Sequence, residues 1–374
     1  MADIRVAGYP YRVEFARKPS LLEIRDAVNA SLSSFSAKEC DYLRSIGSEL
    51  NPVADAMHQF ITDSGKRLRP IFAYVGFLGT GASADQSIVN ASAALELVHV
   101  CALMHDDVMD GSDTRRGAPS IHRAFEALHN RESLQGSAAQ YGISAAILLG
   151  DLALIWSAKA LHTSGISDET LIRAQAMYDE MRIELMAGQY LDIHEGALAT
   201  QSVERSLKVA RYKSGKYTIE RPLHFGAVLG TSKTADSHSE LQRVYSSYGL
   251  PLGEAFQLRD DVMGVFGNPE ETGKPAGDDI REGKRTVLMA KAFELISPVE
   301  AAVLTSALGN PALSATDVER VRTIISGSGA LDQLEHLISG LTDQAVTSLN
   351  STVVHPDARD LLTELATVVT RRKS

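Results

Sequence analysis

Apolar residues recur along most of the chain at the spacing of an α-helix. Few segments alternate with period two, whereas apolar positions at i, i+3, i+4 and i+7 dominate. In residues 87–110, for example, Leu97, Val98 and Met104 fall on or near one stripe, and residues 240–266 repeat the pattern. The sequence therefore predicts an all-α fold with buried central helices.

Glycine and small polar residues interrupt this pattern where helices should end. The predicted stops are Gly111 and the segments 163–168, 230–239 and 325–330. None is long enough to be a convincing linker between domains, and no repeat of fixed period is found. We therefore expect a variable N-terminal extension over residues 1–35 and a single all-α domain over residues 36–374.

Composition narrows the class of protein. The 374 residues carry a net charge of −10, which argues against nucleic acid as a main partner. Cys40 and Cys101 lack metal-ligand spacing, so we expect reduced core residues. The N-terminus has no apolar core of a signal peptide, and the apolar run 143–156 is short and interrupted by Asp151. These features predict a cytoplasmic protein without an integral membrane segment.

The tetrapeptide DDVM occurs twice, at 106–109 and 260–263. In the first copy, Asp106 and Asp110 are i,i+4 neighbours and share one face of a helix. Converging carboxylates repel one another unless a divalent cation relieves the charge, and Mg²⁺ suits an all-oxygen ligand set. The alternative is two helix ends with solvated aspartates.

Basic residues cluster beside these motifs. Any one cluster could be a solvated surface, but four of them near two aspartate motifs favour phosphate binding. The clusters are Lys66, Arg67 and Arg69; Arg115 and Arg116; Lys213 and Lys216; and Lys274 and Lys284. Nucleotide-binding glycine loops, HExxH and GxSxG are absent from the sequence. A diphosphate held by Mg²⁺ and these cations at the mouth of an apolar bundle would become a good leaving group, with the carbocation shielded from water.

The chain resembles the trans-isoprenyl diphosphate synthase (polyprenyl synthetase) family over roughly residues 36–350. The motifs that carry the resemblance are "GKRLRP", "ALELVHVCALMHDDVMDGSDTRRG", "GDLAL", "GQYLDI", "KSGKYT", "AFQLRDDVMG" and "GKPAGDDIREGKRT". The resemblance implies a bacterial, actinobacterial-type homodimer with an isoprenoid synthase-type helical bundle around a central substrate cavity. Such enzymes condense isopentenyl diphosphate with an allylic diphosphate and release pyrophosphate.

The resemblance also implies residue roles. Asp106 and Asp110 would bind two Mg²⁺ ions and Asp260 a third, with Asp107 and Asp261 in support. The isopentenyl diphosphate site would comprise Lys66, Arg69, His99 and Arg116, and a core histidine is the alternative interpretation of His99. The allylic diphosphate site would comprise Arg115, Lys213, Ser214, Gln257, Lys274 and Lys284. Ser214 stands where the family usually has Thr, and with Gln257 it would offer lone pairs to the carbocation.

Two points stay open at this stage. Gly264 replaces the last aspartate of the second motif, so Gly264→Asp is expected to change metal dependence or rate without changing the reaction. Cys101 and Ala102 lie one turn before Asp106 and are small, which favours geranylgeranyl diphosphate over farnesyl or longer products.

A class I terpene cyclase and a non-catalytic regulatory subunit of a synthase are the alternative functions. The synthase is favoured over the cyclase by "SGKRLRP" and Arg116. It is favoured over the regulatory subunit because both aspartate motifs survive.

Overall fold

The computed structural model describes residues 18–63, 65–199, 201–231, 235–268 and 277–371, with side chains described from residue 239 in the fourth range. Helices account for nearly all regular structure in these ranges, so the predicted all-α fold is confirmed. The helices are α1 Leu21–Ile46, α2 Asn51–Thr62, α3 Leu68–Leu78, α4 Gln86–Met109, α5 Ile121–Arg131, α6 Ala138–His162, α7 Asp168–Ala197, α8 Val203–Val209, α9 Arg221–Gly230, α10 Ala235–Phe266, α11 Asp278–Glu282, α12 Val287–Leu295, α13 Pro298–Ala307, α14 Ala315–Gly327, α15 Ala330–Ser348 and α16 Pro356–Thr370.

Four further elements complete the described part of the chain. A 3₁₀ turn covers Ser48–Leu50, and a π-helical segment, Ala210–Glu220, joins α8 to α9. Two-residue strands β1 (Thr114–Arg115) and β2 (Ala118–Pro119) pair antiparallel in the loop after α4. The stop predicted at Gly111 is confirmed, since α4 ends directly before Asp110 and Gly111 takes a positive φ of 67°. The stop predicted at 230–239 is too long, because α10 begins at Ala235.

Helix α4 lies at the centre of the bundle because it is apolar nearly all round. It packs against α6, α3, α1 and α5, and most of its residues are buried. The main core joins these helices to α7, α9, α16 and the first part of α10. A second core joins the last part of α10 to α11–α15. Helix α10 therefore links the two cores, with Leu252 in the first and Leu258 in the second.

The boundary predicted at residue 35 falls inside α1. This helix begins with a capping box in which the Ser20 hydroxyl accepts from the Glu23 backbone, and the Glu23 carboxylate accepts from the Ser20 backbone. Ile24, Val28 and Leu32 are buried in the main core. Residues 21–35 thus pack with the bundle, while residues 1–17 lie outside the described part of the chain. The division into an extension and one domain stays a prediction.

Two described helices, α4 and α6, are long and apolar enough to cross a membrane by length and composition alone. The expectation that the run around Asp151 is too short was wrong on length, because α6 extends over 25 residues. Helix α4 is mostly buried inside the bundle. Helix α6 packs on α4 and α5 along one side, and only about a third of its apolar window is buried. Its other side is an exposed apolar face.

Both cysteines are free and buried, as the sequence predicts. The Cys40 thiol donates to the Ala54 carbonyl at 3.2 Å. Burial raises the pKa of Cys101 to about 12, so this thiol stays protonated.

Candidate active site

A cavity of about 730 Å³ opens between α3, α4, α7, the π-helical segment, α10 and the α11–α12 region. It gathers residues that lie more than two hundred positions apart in the sequence. The predicted site residues on its lining are Lys66, Arg69, His99, Ala102, Asp106, Arg116, Lys213, Ser214, Gln257, Asp260, Asp261 and Lys284. The predicted residues that do not line the cavity are Asp107, Asp110, Arg115 and Cys101. Lys274 lies outside the described residues.

Asp106 is held by a lysine and a glutamine from two neighbouring elements. Lys213 Nζ lies 3.1 Å from Asp106 Oδ1, and Gln189 Nε2 donates to the same oxygen at 2.7 Å. Burial alone would raise the pKa of Asp106, but Lys213, Lys284 and Arg115 outweigh it and hold that pKa well below its usual value. Asp106 is therefore ionised and ready to bind a cation.

The other two acids of the first motif face different partners. Asp107 is buried and accepts a forked pair of bonds from the Arg115 guanidinium, whose Nε lies 3.0 Å from Asp107 Oδ1. Asp110 caps the end of α4, and its Oδ2 lies 3.2 Å from Lys284 Nζ. Burial raises the pKa of Asp110 to about 6, although Lys284 acts in the opposite direction. Asp107 thus positions the loop that carries Arg115.

The second motif lies near the end of α10. Gln257 Nε2 donates to Asp261 Oδ1 at 2.9 Å, one turn along the helix. Burial, with the charges of Asp279 and Asp260, raises the pKa of Asp261 to about 7, although the Gln257 hydrogen bond acts in the opposite direction. Asp260 and Gly264 also line the cavity, so both copies of DDVM reach one site.

The π-helical segment presents Lys213 and Ser214 to the cavity. Long π-helices are rare and mark functional sites, because the wider turn re-aims side chains. Gly188 of α7 and Gly253 of α10 permit the segment to pack closely on both sides. A Cβ on Gly188 would meet the Lys213 Cα at 2.7 Å, and one on Gly253 would meet Gly215 Cα at 2.5 Å. Lys213 Nζ is then 2.6 Å from Asp192 Oδ2.

The arginines at the basic end of the cavity differ in their partners. Arg67 is 2% exposed and pairs with buried Glu96, Nη1 to Oε1 at 2.9 Å, so its charge is already neutralised by a protein carboxylate although it borders the cavity. Arg69 also lines the cavity, with its Cζ 4.3 Å from the Tyr217 ring centroid. Arg116 lines it too, and its backbone adopts a positive φ of 54°.

His99 lines the cavity beside these arginines. Burial, followed by the charges of Arg69 and Arg116, holds the pKa of His99 well below its usual value. Its Nδ1 is buried and has no hydrogen-bond partner among the described residues. The imidazole is therefore neutral, with one nitrogen available to a ligand.

Sequence reasoning missed several residues that the fold brings to the site. Gln189 and Asp192 belong to the quoted segment "GQYLDI", but only the structure shows that they contact Asp106 and Lys213. Their i,i+3 spacing on one face of α7 was the available signal. Asp279 and Glu282 also reach Lys284, at 3.5 and 2.6 Å from its Nζ.

The donor set fits magnesium. Hard oxygens are the ligands that Mg²⁺ prefers, with water and substrate phosphates completing its shell. Asp110 Oδ2 is buried, close to Lys284, and accepts no hydrogen bond from the described residues, so it has capacity for an ion. Among the described residues, no three acidic, histidine or cysteine side chains already surround one point. An ion held here would therefore share its shell with a bound anion and water.

This combination of an apolar helical bundle, two aspartate motifs and facing cations defines an all-α enzyme that acts on an anionic substrate. The polyprenyl synthetase family model matches residues 51–325, and the chain belongs to that family. It is a trans-prenyltransferase.

Solved and curated relatives agree over most of the chain. A crystal structure of geranylgeranyl pyrophosphate synthase from Corynebacterium glutamicum, complexed with isoprenyl diphosphate and magnesium, is 39% identical, with a TM-score of 0.90 over 95% of this chain and 100% of that one. Geranylfarnesyl diphosphate synthase of Aeropyrum pernix is 31% identical over 86% of this chain and 94% of its own. Geranylgeranyl diphosphate synthase of Mycobacterium tuberculosis is 31% identical over 83% and 81%.

Replacing Gly188 with Ala should displace the segment that carries Lys213. The added methyl group meets backbone atoms that cannot rotate away, so we expect a loss of about 1–3 kcal/mol in unfolding free energy. Because Lys213 moves, kcat/KM should fall at least about tenfold. Urea denaturation and steady-state kinetics measure both.

Gly196→Ala is the matched control on the same helix. A Cβ there meets nothing within 4 Å, so the variant should keep wild-type kinetics and gain up to about 1 kcal/mol from helix propensity. Equal effects of the two substitutions would contradict the close-packing argument.

Asp261 gives the metal-free enzyme a defined pH dependence. Its folded pKa of about 7 lies above the unfolded value of about 3.9, so its stabilising contribution is complete below pH 4 and is lost as the pH rises through 7. Asp261→Asn keeps a neutral side chain at every pH. We expect equal stability of the two proteins near pH 4 and an advantage of about 2–4 kcal/mol for the variant at pH 8, from urea denaturation in EDTA. A difference that does not change with pH would contradict the assignment.

Proposed function

We propose that this prenyltransferase condenses isopentenyl diphosphate with an allylic diphosphate, and that geranylgeranyl diphosphate is its main product. The observation that carries the proposal is the single cavity in which both DDVM motifs meet the Lys and Arg side chains. One cavity with two sets of cations suits two diphosphates, one to ionise and one to be retained.

The first diphosphate would be bound at the aspartate end of the cavity. Asp106, Asp110 and Asp260 would hold Mg²⁺, three ions per site, with Asp107 and Asp261 in support. When bound, the metal neutralises the charge that develops on the leaving diphosphate. The other groups that would bind the allylic diphosphate are Arg115, Lys213, Lys274 and Lys284.

Lys213 and Lys284 would change partners when substrate binds. In the described structure they neutralise Asp106 and Asp110, at 3.1 and 3.2 Å. Once cations occupy the carboxylates, both ammonium groups become available to phosphate oxygens. Ser214 and Gln257 would direct lone pairs or dipoles at the allylic cation, with water excluded by the apolar bundle.

The second diphosphate would lie at the basic end. Lys66, Arg69 and Arg116 would bind isopentenyl diphosphate through charge-assisted hydrogen bonds. Neutral His99 would donate from a ring nitrogen without adding charge. The released pyrophosphate would accept the final proton, so this mechanism needs no side-chain base.

A product assay tests the reaction. Purified protein is incubated with Mg²⁺, labelled isopentenyl diphosphate and, separately, dimethylallyl, geranyl or farnesyl diphosphate, and the products are sized by chromatography. We expect a geranylgeranyl product. Absence of any elongated product with every primer would overturn the synthase, whereas a farnesyl or longer product would overturn only the chain length.

Ala102→Phe tests the position of the growing chain. Ala102 lines the cavity one turn from Asp106, so a phenyl ring there should obstruct the chain and shorten the product by at least one isoprene unit. Cys101 is fully buried off the lining, with its sulfur 3.8 Å from His105 Nδ1. Cys101→Ala should therefore leave product length unchanged. An unchanged product in Ala102→Phe would refute this position.

We further propose that two copies associate through the exposed side of α6 and the adjoining surface of α7. Tyr141, Leu148 and Ile155 are spaced by seven residues and form one exposed apolar row on α6, while Ile183 and Tyr190 form a similar row on α7. Apolar rows of this length are typical of interfaces. Pairing would cover the exposed apolar face of α6, consistent with a cytoplasmic homodimer.

Light scattering tests the dimer. The wild-type protein should have twice the chain mass, and Leu148→Glu with Ile155→Glu should halve it, because four charges would be buried in the interface. Val299→Glu is the control, since Val299 is at least as exposed and lies on α13, outside the proposed interface. A monomeric wild-type protein, or a dimer that withstands both glutamates, would contradict the proposal.

A further inference from the structure

The second aspartate motif has no side chain at Gly264, yet the space beside this glycine is filled. A Cβ built on Gly264 would overlap the carboxylate of Asp279, with Oδ1 at 2.9 Å and the other two carboxylate atoms nearer still. Asp279 comes from α11, fifteen positions further along the chain. Its carboxylate therefore lies in the volume that a side chain at position 264 would occupy.

Backbone contacts on both sides of Asp279 fix it in this position. Gly277 and Gly283 bracket α11 with positive φ of 71° and 75°. The Asp279 carbonyl accepts from the Lys284 amide at 3.0 Å, and the Ile280 carbonyl accepts from the Gly309 amide at 2.9 Å. Ile280 is fully buried in the second core. The location of the carboxylate is thus a property of the fold.

The need to neutralise Lys284 does not by itself explain why the Asp279 carboxylate lies here. Lys284 Nζ has three acidic neighbours, and Asp279 is the most distant at 3.5 Å, against 2.6 Å for Glu282 and 3.2 Å for Asp110. Three carboxylates therefore lie within 3.5 Å of this one ammonium group. Asp279 also lines the cavity, and its side chain is 14% exposed.

We propose that Asp279 replaces the carboxylate missing at position 264 and completes the Asp260 side of the metal clamp. The proposal rests on the Mg²⁺-dependent diphosphate chemistry proposed above. The Asp279 carboxylate from α11 lies where a side chain on residue 264 of α10 would begin, so the clamp keeps a carboxylate although the motif ends in glycine. Asp279 acts either as a ligand or through a metal-bound water, both of which require an oxygen anion at this point.

The steric overlap also corrects the expectation for Gly264→Asp. Two carboxylates would then compete for one volume, so this variant should lose thermal stability, and changed metal dependence would follow from the displacement of Asp279.

Calorimetric titration of the full chain with Mg²⁺, in saturating inorganic pyrophosphate, tests the proposal without turnover. Asp279→Asn keeps the shape and removes the charge, and it should weaken Mg²⁺ binding about tenfold or more. Asp278→Asn makes the same change one residue away, also on the cavity lining, and should leave the affinity unchanged. The double variant Asp279→Ala with Gly264→Asp returns the carboxylate from the other backbone and should restore binding.

The possible outcomes distinguish the role of Asp279 from the proposed function of the enzyme. Wild-type affinity in Asp279→Asn, or equal losses in the 278 and 279 variants, would overturn the role of Asp279 and leave the proposed function intact. Failure of the wild-type protein to bind Mg²⁺ with pyrophosphate would overturn both. Circular dichroism establishes that each variant is folded, and if the double variant is not, the comparison of Asp279→Asn with Asp278→Asn decides.

Discussion

The site depends on balancing buried negative charge. Aspartates from α4, α10 and α11 converge on one cavity, and buried carboxylates are costly unless cations accompany them. Lys213 and Lys284 supply that charge in the described structure, with Nζ atoms 3.1 Å from Asp106 and 3.2 Å from Asp110. In the proposed reaction the same lysines would bind phosphate oxygens. One set of ion pairs therefore balances the buried charge in the described structure and, on that proposal, prepares the cavity for an anionic substrate with its metal ions.

This balance requires backbones that approach unusually closely. The π-helical segment reaches the cavity because Gly188 and Gly253 leave no side chain between it and its neighbours. Gly264 permits the same kind of approach by Asp279. In each case the absence of a side chain allows another element to bring a charged group close. Substitutions at these glycines should therefore change the position of that charge as well as the packing.

Much of the fold and part of the site could be predicted from the sequence. Helical periodicity and stop signals gave an all-α bundle, because burial of one helix face is a local pattern. The DDVM spacing placed Asp106 and Asp110 on one face for the same reason. The first turn of α1 was overlooked although its capping box, Ser20 to Glu23, is a readable local signal. The apolar run 143–156 does not predict the length of α6, which extends over 25 residues and includes Asp151.

The sequence by itself determined the helices, the two aspartate motifs and their family, since these follow from spacing within a few turns. Only the tertiary structure decided that Arg67 is paired with buried Glu96, whereas Arg69 stacks on the Tyr217 ring in the same cavity. It also decided that Asp279 lies in the space left by Gly264. The physical reason is that a residue's neighbours across the cavity depend on how distant helices pack, and local periodicity carries no information about that packing.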